Sequence, residues 1–312
     1  MSKRFARYAA AVLAFNLAVI LWGALVRASG SGAGCGNHWP LCNGVVVPLA
    51  PAAATVIEFT HRAMSGLDVV LVAWLAVWAF RIFPRRHPVR LGAVLSAIFL
   101  ASEALIGAAL VKLEHVAQNA SVGRAYSLSG HLINTLTLLA CLTLTVWWAR
   151  GGRRLRMGGR GARLALPAVI LFLVVGISGA IAALGDTLFP AHSLAEGFRR
   201  DFDAASSIFL RLRLLHPLLA VATAAWIGFF AVSYRRWSLF GLVTLQVAVG
   251  GLNLVLLAPV WMQLVHLLLA DLVWIALVWW SASALQVPAA SADSEGDAMA
   301  PRLPRLQRVA PE

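Results

Sequence analysis

Apolar stretches of near-constant length, separated by short basic or mixed segments, dominate the chain. They run at about 8–26, 56–80, 91–111, 130–149, 164–184, 211–233, 238–257 and 262–285. Each is close to the roughly 20 residues a helix needs to cross about 30 Å of hydrocarbon. The pattern predicts an all-α membrane protein with eight transmembrane helices, the seventh parted from the eighth only by Ala258, Pro259 and Val260. An even number of spans puts both termini on one side. The stretch from about Gln286 to Glu312 is rich in Pro, Ala and Ser and predicts a disordered cytoplasmic tail over 286–312.

Composition agrees: of 312 residues, 60% are hydrophobic and 12% charged, outside the range of a soluble domain. The net charge of +13 would point to nucleic acid if the basic residues formed a patch. They do not. Lys3, Arg4 and Arg7, then Arg81, Arg85, Arg86 and Arg90, then the basic run from Arg150 to Arg163, then Arg235 and Arg236 fall in alternate loops that hold no Asp or Glu. The other loops mix basic and acidic residues, as in Glu196 to Asp203. This positive-inside bias predicts a multi-pass protein of the cell (inner) membrane with both termini cytoplasmic, and the basic excess reflects topology rather than nucleic-acid binding. The first run has a basic flank but continues to a full span, without the short apolar core and small-residue cleavage site of a signal peptide, and is expected to be retained.

The chain repeats itself. His131 to Trp148 aligns with His266 to Trp280, each beginning His-Leu and ending Trp-Trp, and the run holding His61 aligns with the one holding His216. Two pseudo-symmetric four-helix bundles follow as an expectation, over 1–150 and 151–285, as parallel repeats. His61, His131, His216 and His266 fall at the starts of the second, fourth, sixth and eighth runs, all toward the outer side. Two histidines per bundle on facing helices suit a planar macrocycle with one imidazole on each face of its iron. Zinc is the competing metal, but it calls for about four clustered ligands with Cys or carboxylate among them. Small residues in Leu105 to Val111 and Val249 to Val255 leave room for such a plane, or for close helix packing.

The halves differ at one position. Glu58 precedes His61 by three residues and shares its helix face, whereas Arg213 stands three residues before His216. A carboxylate in an apolar run costs free energy, about 2.5–3.5 kcal/mol for Asp at a span's centre, so Glu58 needs a role. It is either a general acid or base beside the substrate or half of an ion pair with Arg62 or Lys112. Before the second run, Cys35 and Cys42 sit in a Gly-rich outer loop on the oxidising side, which predicts a disulfide. Free thiols, or a metal pair with His38, are the alternatives, and Cys141 reads as a packing residue.

Gly23 to Gly44 ("GALVRASGSGAGCGNHWPLCNG"), Glu58 to Arg62 ("EFTHR"), and the later His131, His216 and His266 together resemble the heme A synthase family over about residues 8–285. The resemblance implies that the first half takes heme O as substrate between His61 and His131, with Glu58 as the catalytic carboxylate. It implies a heme b cofactor on His216 and His266, a disulfide between Cys35 and Cys42, and oxidation of the C8 methyl group of heme O to a formyl group. Arg62, Arg211 and Arg213 are candidate propionate contacts. Heme O synthase, an electron acceptor and membrane lipids are the implied partners. Some members carry a second cysteine pair outside the fifth and sixth helices; Gly185 to Ala204 has none, which leaves the order of that loop open. A di-haem b-type electron-transfer protein, or a haem or quinone transporter, would use the four histidines but not a lone Glu58.

Overall fold

The structure is a computed structural model that describes residues 2–287. In chain order it contains α1 (Ser2–Ala28), a 3-10 turn (Ser31–Ala33), α2 (Ala53–Ile82), α3 (Pro88–Lys112), α4 (Val122–Ala149), α5 (Gly159–Leu188), α6 (Leu194–Phe202), α7 (Ile208–Arg213), α8 (Leu215–Ser233), α9 (Trp237–Val255) and α10 (Val260–Leu285). Among the described residues there is no strand. Eight spans are long and apolar enough to cross a membrane, with α7 and α8 together forming the sixth. The chain is a multi-pass membrane protein.

The helices extend beyond the apolar runs, and their ends are set locally. Pro88 opens α3, where its missing N–H is no loss, with the His87 side chain accepting from Val89 N–H. Ser121 and Ser193 cap α4 and α6 through their side chains. α4 begins at Val122 rather than near 130, so His131 stands well inside the helix. The sixth span breaks at Leu214 because Pro217 has no N–H for the Arg213 carbonyl four residues earlier and its ring crowds that carbonyl. Leu257 and Ala258, both at positive φ, and Pro259 separate α9 from α10, so the seventh and eighth spans are distinct.

α1 packs on α2 and α4, α2 on α3, and α3 on α4; α5 packs on α8 and α10, α8 on α9, and α9 on α10. The seam between the two groups is formed by α4 against α5 and α10 and by α1 against α10. Two apolar cores result, one centred on Phe5, Leu75 and Leu142 and the other on Leu139, Phe230 and Leu277. Leu139 of α4 thus belongs to the second core. Across the seam the Trp274 indole N–H donates to Leu136 O at 2.7 Å.

The loop before α2 is pinned to that helix. Thr55 Oγ1 donates to Gly34 O at 2.7 Å, and a Cβ at Gly34 would collide with the backbone of Ala54 and Thr55. At the other end, Gln286 pairs with Leu155, and Val287 N–H donates to Arg154 O at 3.1 Å. Gln286 and Val287, expected in the tail, are thus bonded to the chain near 155, and 288–312 lie outside the described residues.

Candidate functional site

In the first half, α2 and α4 present His61 and His131. The His61 ring lies on α1: a Cβ at Gly23 would stand 2.9 Å from its Cε1, so only glycine leaves this seat open. His61 is within electrostatic reach of His131, Glu103 and Arg62. His131 Nδ1 lies 3.2 Å from Glu103 Oε1 on α3, although the ring is turned off the line of a hydrogen bond. The Glu103 carboxylate is itself held: Asn134 Nδ2 donates to Oε2 at 2.5 Å, and the Thr135 hydroxyl bonds Oε1.

Glu58 is buried, and both its oxygens are engaged. Oε2 accepts from Cys35 N–H at 2.8 Å, and Oε1 accepts from Arg62 Nη2 at 2.5 Å. Arg62 in turn donates through Nη1 to His38 O and Leu41 O at 2.7 and 2.8 Å. Of the two ion-pair partners considered for Glu58, the structure has Arg62 rather than Lys112. The buried carboxylate is offset by a cation and a backbone donor, and the pair ties α2 to the loop that precedes it. Cys35 and Cys42, inside that loop, are disulfide-bonded, and Cys141 is buried and free.

The second half repeats the glycine seats and changes the polar residues. A Cβ at Gly179 on α5 would lie 3.0 Å from His216 Cε1, and one at Gly250 on α9 would lie 2.9 Å from His266 Cε1. His216 Nδ1 stands 3.1 Å from Ser178 Oγ, whose own proton goes to Val175 O at 2.8 Å. The serine therefore accepts from Nδ1–H, which leaves the His216 Nε2 lone pair free to ligate. Gln246 Nε2 stands 3.4 Å from His266 Nε2 and can only donate to it. Arg213, in the place of Glu58, donates to Asp201 Oδ1 at 2.6 Å, Asp186 Oδ1 at 2.8 Å and Gly197 O at 3.3 Å. Burial pushes the Asp201 carboxyl up, and its bond to Arg213 opposes that. The cluster holds α6 over the second half, so the loop without cysteines is ordered by charge. Of the three arginines considered for propionates, Arg62 and Arg213 are bonded as described. Arg211 is exposed, with no side-chain bond among the described residues.

These residues fit a haem in each half better than they fit zinc. The His216 and His266 ring centres are 6.4 Å apart. Two imidazoles on opposite faces of one metal, each bonded at about 2.0–2.1 Å, place their ring centres about 6 Å apart. Nδ1 of His61, His131 and His266 are buried without a hydrogen-bond partner. Among the described residues there is no group of three or more His, Cys, Asp or Glu able to hold a metal ion, as zinc would require.

Glu103, Gln246 and Ser178 escape a reading that follows the histidines alone. The signal was present as a second repeat: Glu103 and Gln246 each stand four residues before a glycine, Gly107 and Gly250. Gly107, unlike Gly250, has open space where a Cβ would be.

Over residues 6–278 the chain matches the COX15-CtaA family, described as cytochrome oxidase assembly protein. A Thermus thermophilus protein named protoheme IX farnesyltransferase is 48% identical over 297 residues, covering 91% of this chain and 49% of that protein. Its counterpart from a second strain of the same species is 47% identical over the same extent, so the chain spans about half the length of these relatives. A Bacillus cereus heme A synthase is 29% identical over 282 residues, 85% of this chain and 88% of that protein. With its family match reaching from α1 into α10, this chain belongs to the cytochrome oxidase assembly family of heme A synthases.

Proposed function

We propose that this chain is a heme A synthase, an oxidoreductase that converts the C8 methyl group of heme O to a formyl group. In this reading His61 and His131 receive heme O in the first half, and His216 and His266 hold a resident heme b in the second. Bound there, heme b supplies one-electron redox chemistry. The observation that carries the reading is the asymmetry of two otherwise repeated histidine pairs. Carboxylates stand beside the first pair, Glu58 and Glu103, where the second half has Arg213 and Gln246. An electron carrier has no use for that difference, whereas an oxidation that removes hydrogens from a methyl group needs a place for protons on the substrate side. Glu58, one helical turn from His61, is the group proposed to take them, which requires its pair with Arg62 to open.

That ion pair is what favours the second reading, a di-haem b-type electron-transfer protein in which Glu58 only anchors the loop. Pigment distinguishes the two. Protein purified from a heme O-producing membrane should carry heme O or heme A besides heme b, and should convert added heme O to heme A. Heme b alone, with no conversion, would establish the carrier. The chain spans about half the length of the Thermus relatives, and the farnesyl transfer in their name is not carried over to it.

The same reading places the protein in the cell (inner) membrane with both termini cytoplasmic and both haem sites toward the outer side. The basic loops on one side and the disulfide loop on the other support it. A heme O synthase as supplier and an electron acceptor complete the partners, with lipids around the spans and no nucleic acid.

A further inference from the structure

We infer that Glu103 is the positioning residue of His131, and that it makes the first-half haem site electronically different from the second. The inference rests on the haem-ligation reading above and extends it to a residue outside the motifs that carry the family resemblance.

Four observations converge on Glu103. Its Oε1 is 3.2 Å from His131 Nδ1. A short rotation of the ring would aim Nδ1–H at this oxygen, fixing the tautomer and leaving Nε2 for the iron. Among the described residues Glu103 pairs with no Lys or Arg: Arg62 is committed to Glu58 and the loop before α2. The carboxylate is instead braced by neutral donors from α4, Asn134 Nδ2 at 2.5 Å and the Thr135 hydroxyl. Asn134 is oriented in turn, accepting from Ser102 Oγ at 2.6 Å and donating to Phe99 O at 2.8 Å. An unpaired carboxylate held this firmly in an apolar span is costly without a partner that uses its charge, and the partner in reach is the imidazole.

The second half is the internal control. The corresponding α9 residue, Gln246, is neutral, and its amide stands 3.4 Å from the other ring nitrogen, His266 Nε2, while His266 Nδ1 has no hydrogen-bond partner. The other histidine of that pair, His216, is backed by a hydroxyl, Ser178. In neither position does the second half offer a carboxylate. A histidine that donates its Nδ1–H to a carboxylate is a stronger electron donor than one backed by a neutral group, and it stabilises the oxidised metal. Glu103 thus lowers the reduction potential of the first-half haem relative to the second and tightens its hold on the ferric form.

The experiment uses the full chain, with heme O titrated into protein that already carries its second-half haem, and compares wild type, Glu103→Gln and Gln246→Glu. The wild-type first-half signal is identified as the one lost in His131→Ala. Glu103→Gln, which removes the charge at nearly unchanged size, should keep the second-half spectrum, raise the potential of the first-half haem and weaken ferric heme O binding by about 10- to 100-fold, the usual effect of removing a partner behind a metal-binding histidine. Gln246→Glu, which places a carboxylate toward His266 Nε2 and away from the first half, should leave the first-half potential and affinity at wild-type values. If Glu103→Gln leaves the first-half potential and affinity at wild-type values, Glu103 only cross-links α3 to α4 and the inference is overturned. If wild-type protein shows no first-half signal that depends on His131, the ligation reading itself fails, and the inference with it.

Discussion

Each candidate histidine sits against a glycine on the neighbouring helix or beside a polar group, and these contacts state what a single substitution should do. His216 and His266 face one another at 6.4 Å with their rings nearly perpendicular. Under the proposed ligation, replacing either by Ala should abolish the bis-histidine b-type absorption while the protein still reaches the membrane; undiminished absorption in both variants would withdraw the assignment. The seats can be tested without touching a ligand. A Cβ at Gly250 would stand 2.9 Å from the His266 ring, so Gly250→Ala should displace the imidazole and lower haem content, whereas Gly107→Ala meets open space and should not. Glu58→Gln preserves size and keeps an acceptor for Cys35 N–H but cannot exchange a proton near neutral pH. Loss of a general acid or base costs about 100- to 10,000-fold, so heme A formed per haem-loaded protein should fall by that order with haem content retained. Equal turnover per haem would leave Glu58 as the anchor of the outer loop.

At the scale of elements, the two halves fasten the segments that precede their even-numbered spans with opposite chemistry. The first uses a disulfide loop held by Glu58 and Arg62; the second uses α6 held by Arg213, Asp186 and Asp201. Mass mapping without reductant should find Cys35 linked to Cys42. Arg213→Ala would leave Asp201, 6% exposed, without its cation and should release α6 to proteolysis between 189 and 207 before any span is cut. Acid should act on the same cap. The His192 N–H, the main cause, holds the half-buried Glu196 carboxyl below the usual range. A depressed acid gives stability that is present above its ordinary range and lost as pH falls through its lowered value, so α6 should loosen in acid. How far these elements are legible follows from their physics. Spans announce themselves because lipid demands about 20 apolar residues in a row, and the histidines stand out because polar groups there are costly. The break at Leu214 needed the step from Pro217 back to the Arg213 carbonyl. The order of α6 was hidden because it depends on Asp186, Asp201 and Arg213, apart in sequence, rather than on a local motif such as a cysteine pair. Glu103 was hidden by its surroundings, since one acid in an apolar run carries no sign of which histidine it faces.

For the molecule as a whole, the repeat describes two similar halves, but the structure does not let them act as separate bodies. Arg27, four residues after the His61 seat Gly23 on α1, reaches across the seam. It donates to Ala183 O at 3.0 Å and Thr187 Oγ1 at 2.8 Å on α5, and to Gln263 Oε1 at 2.9 Å on α10. Ala183 lies four residues after Gly179, the seat of His216, and Gln263 three residues before His266. One guanidinium from the first half therefore braces the two helices that seat His216 and carry His266, one turn from each. Arg27→Met keeps the length and apolar stem of the side chain and removes every donor. Bonds to a charged group contribute about 1.5–3 kcal/mol each, and part of that is recovered because Thr187 Oγ1 already donates to Ala183 O at 2.7 Å and Gln263 Nε2 to Ala258 O at 2.7 Å. Unfolding in detergent should consequently begin several degrees lower, and the second-half haem, not the first, should be the one released. If instead heating frees the first-half haem first, or both together at the wild-type temperature, α1 serves only its own bundle and the halves are joined by the contacts of α4 with α5 and α10, the Trp274–Leu136 bond among them.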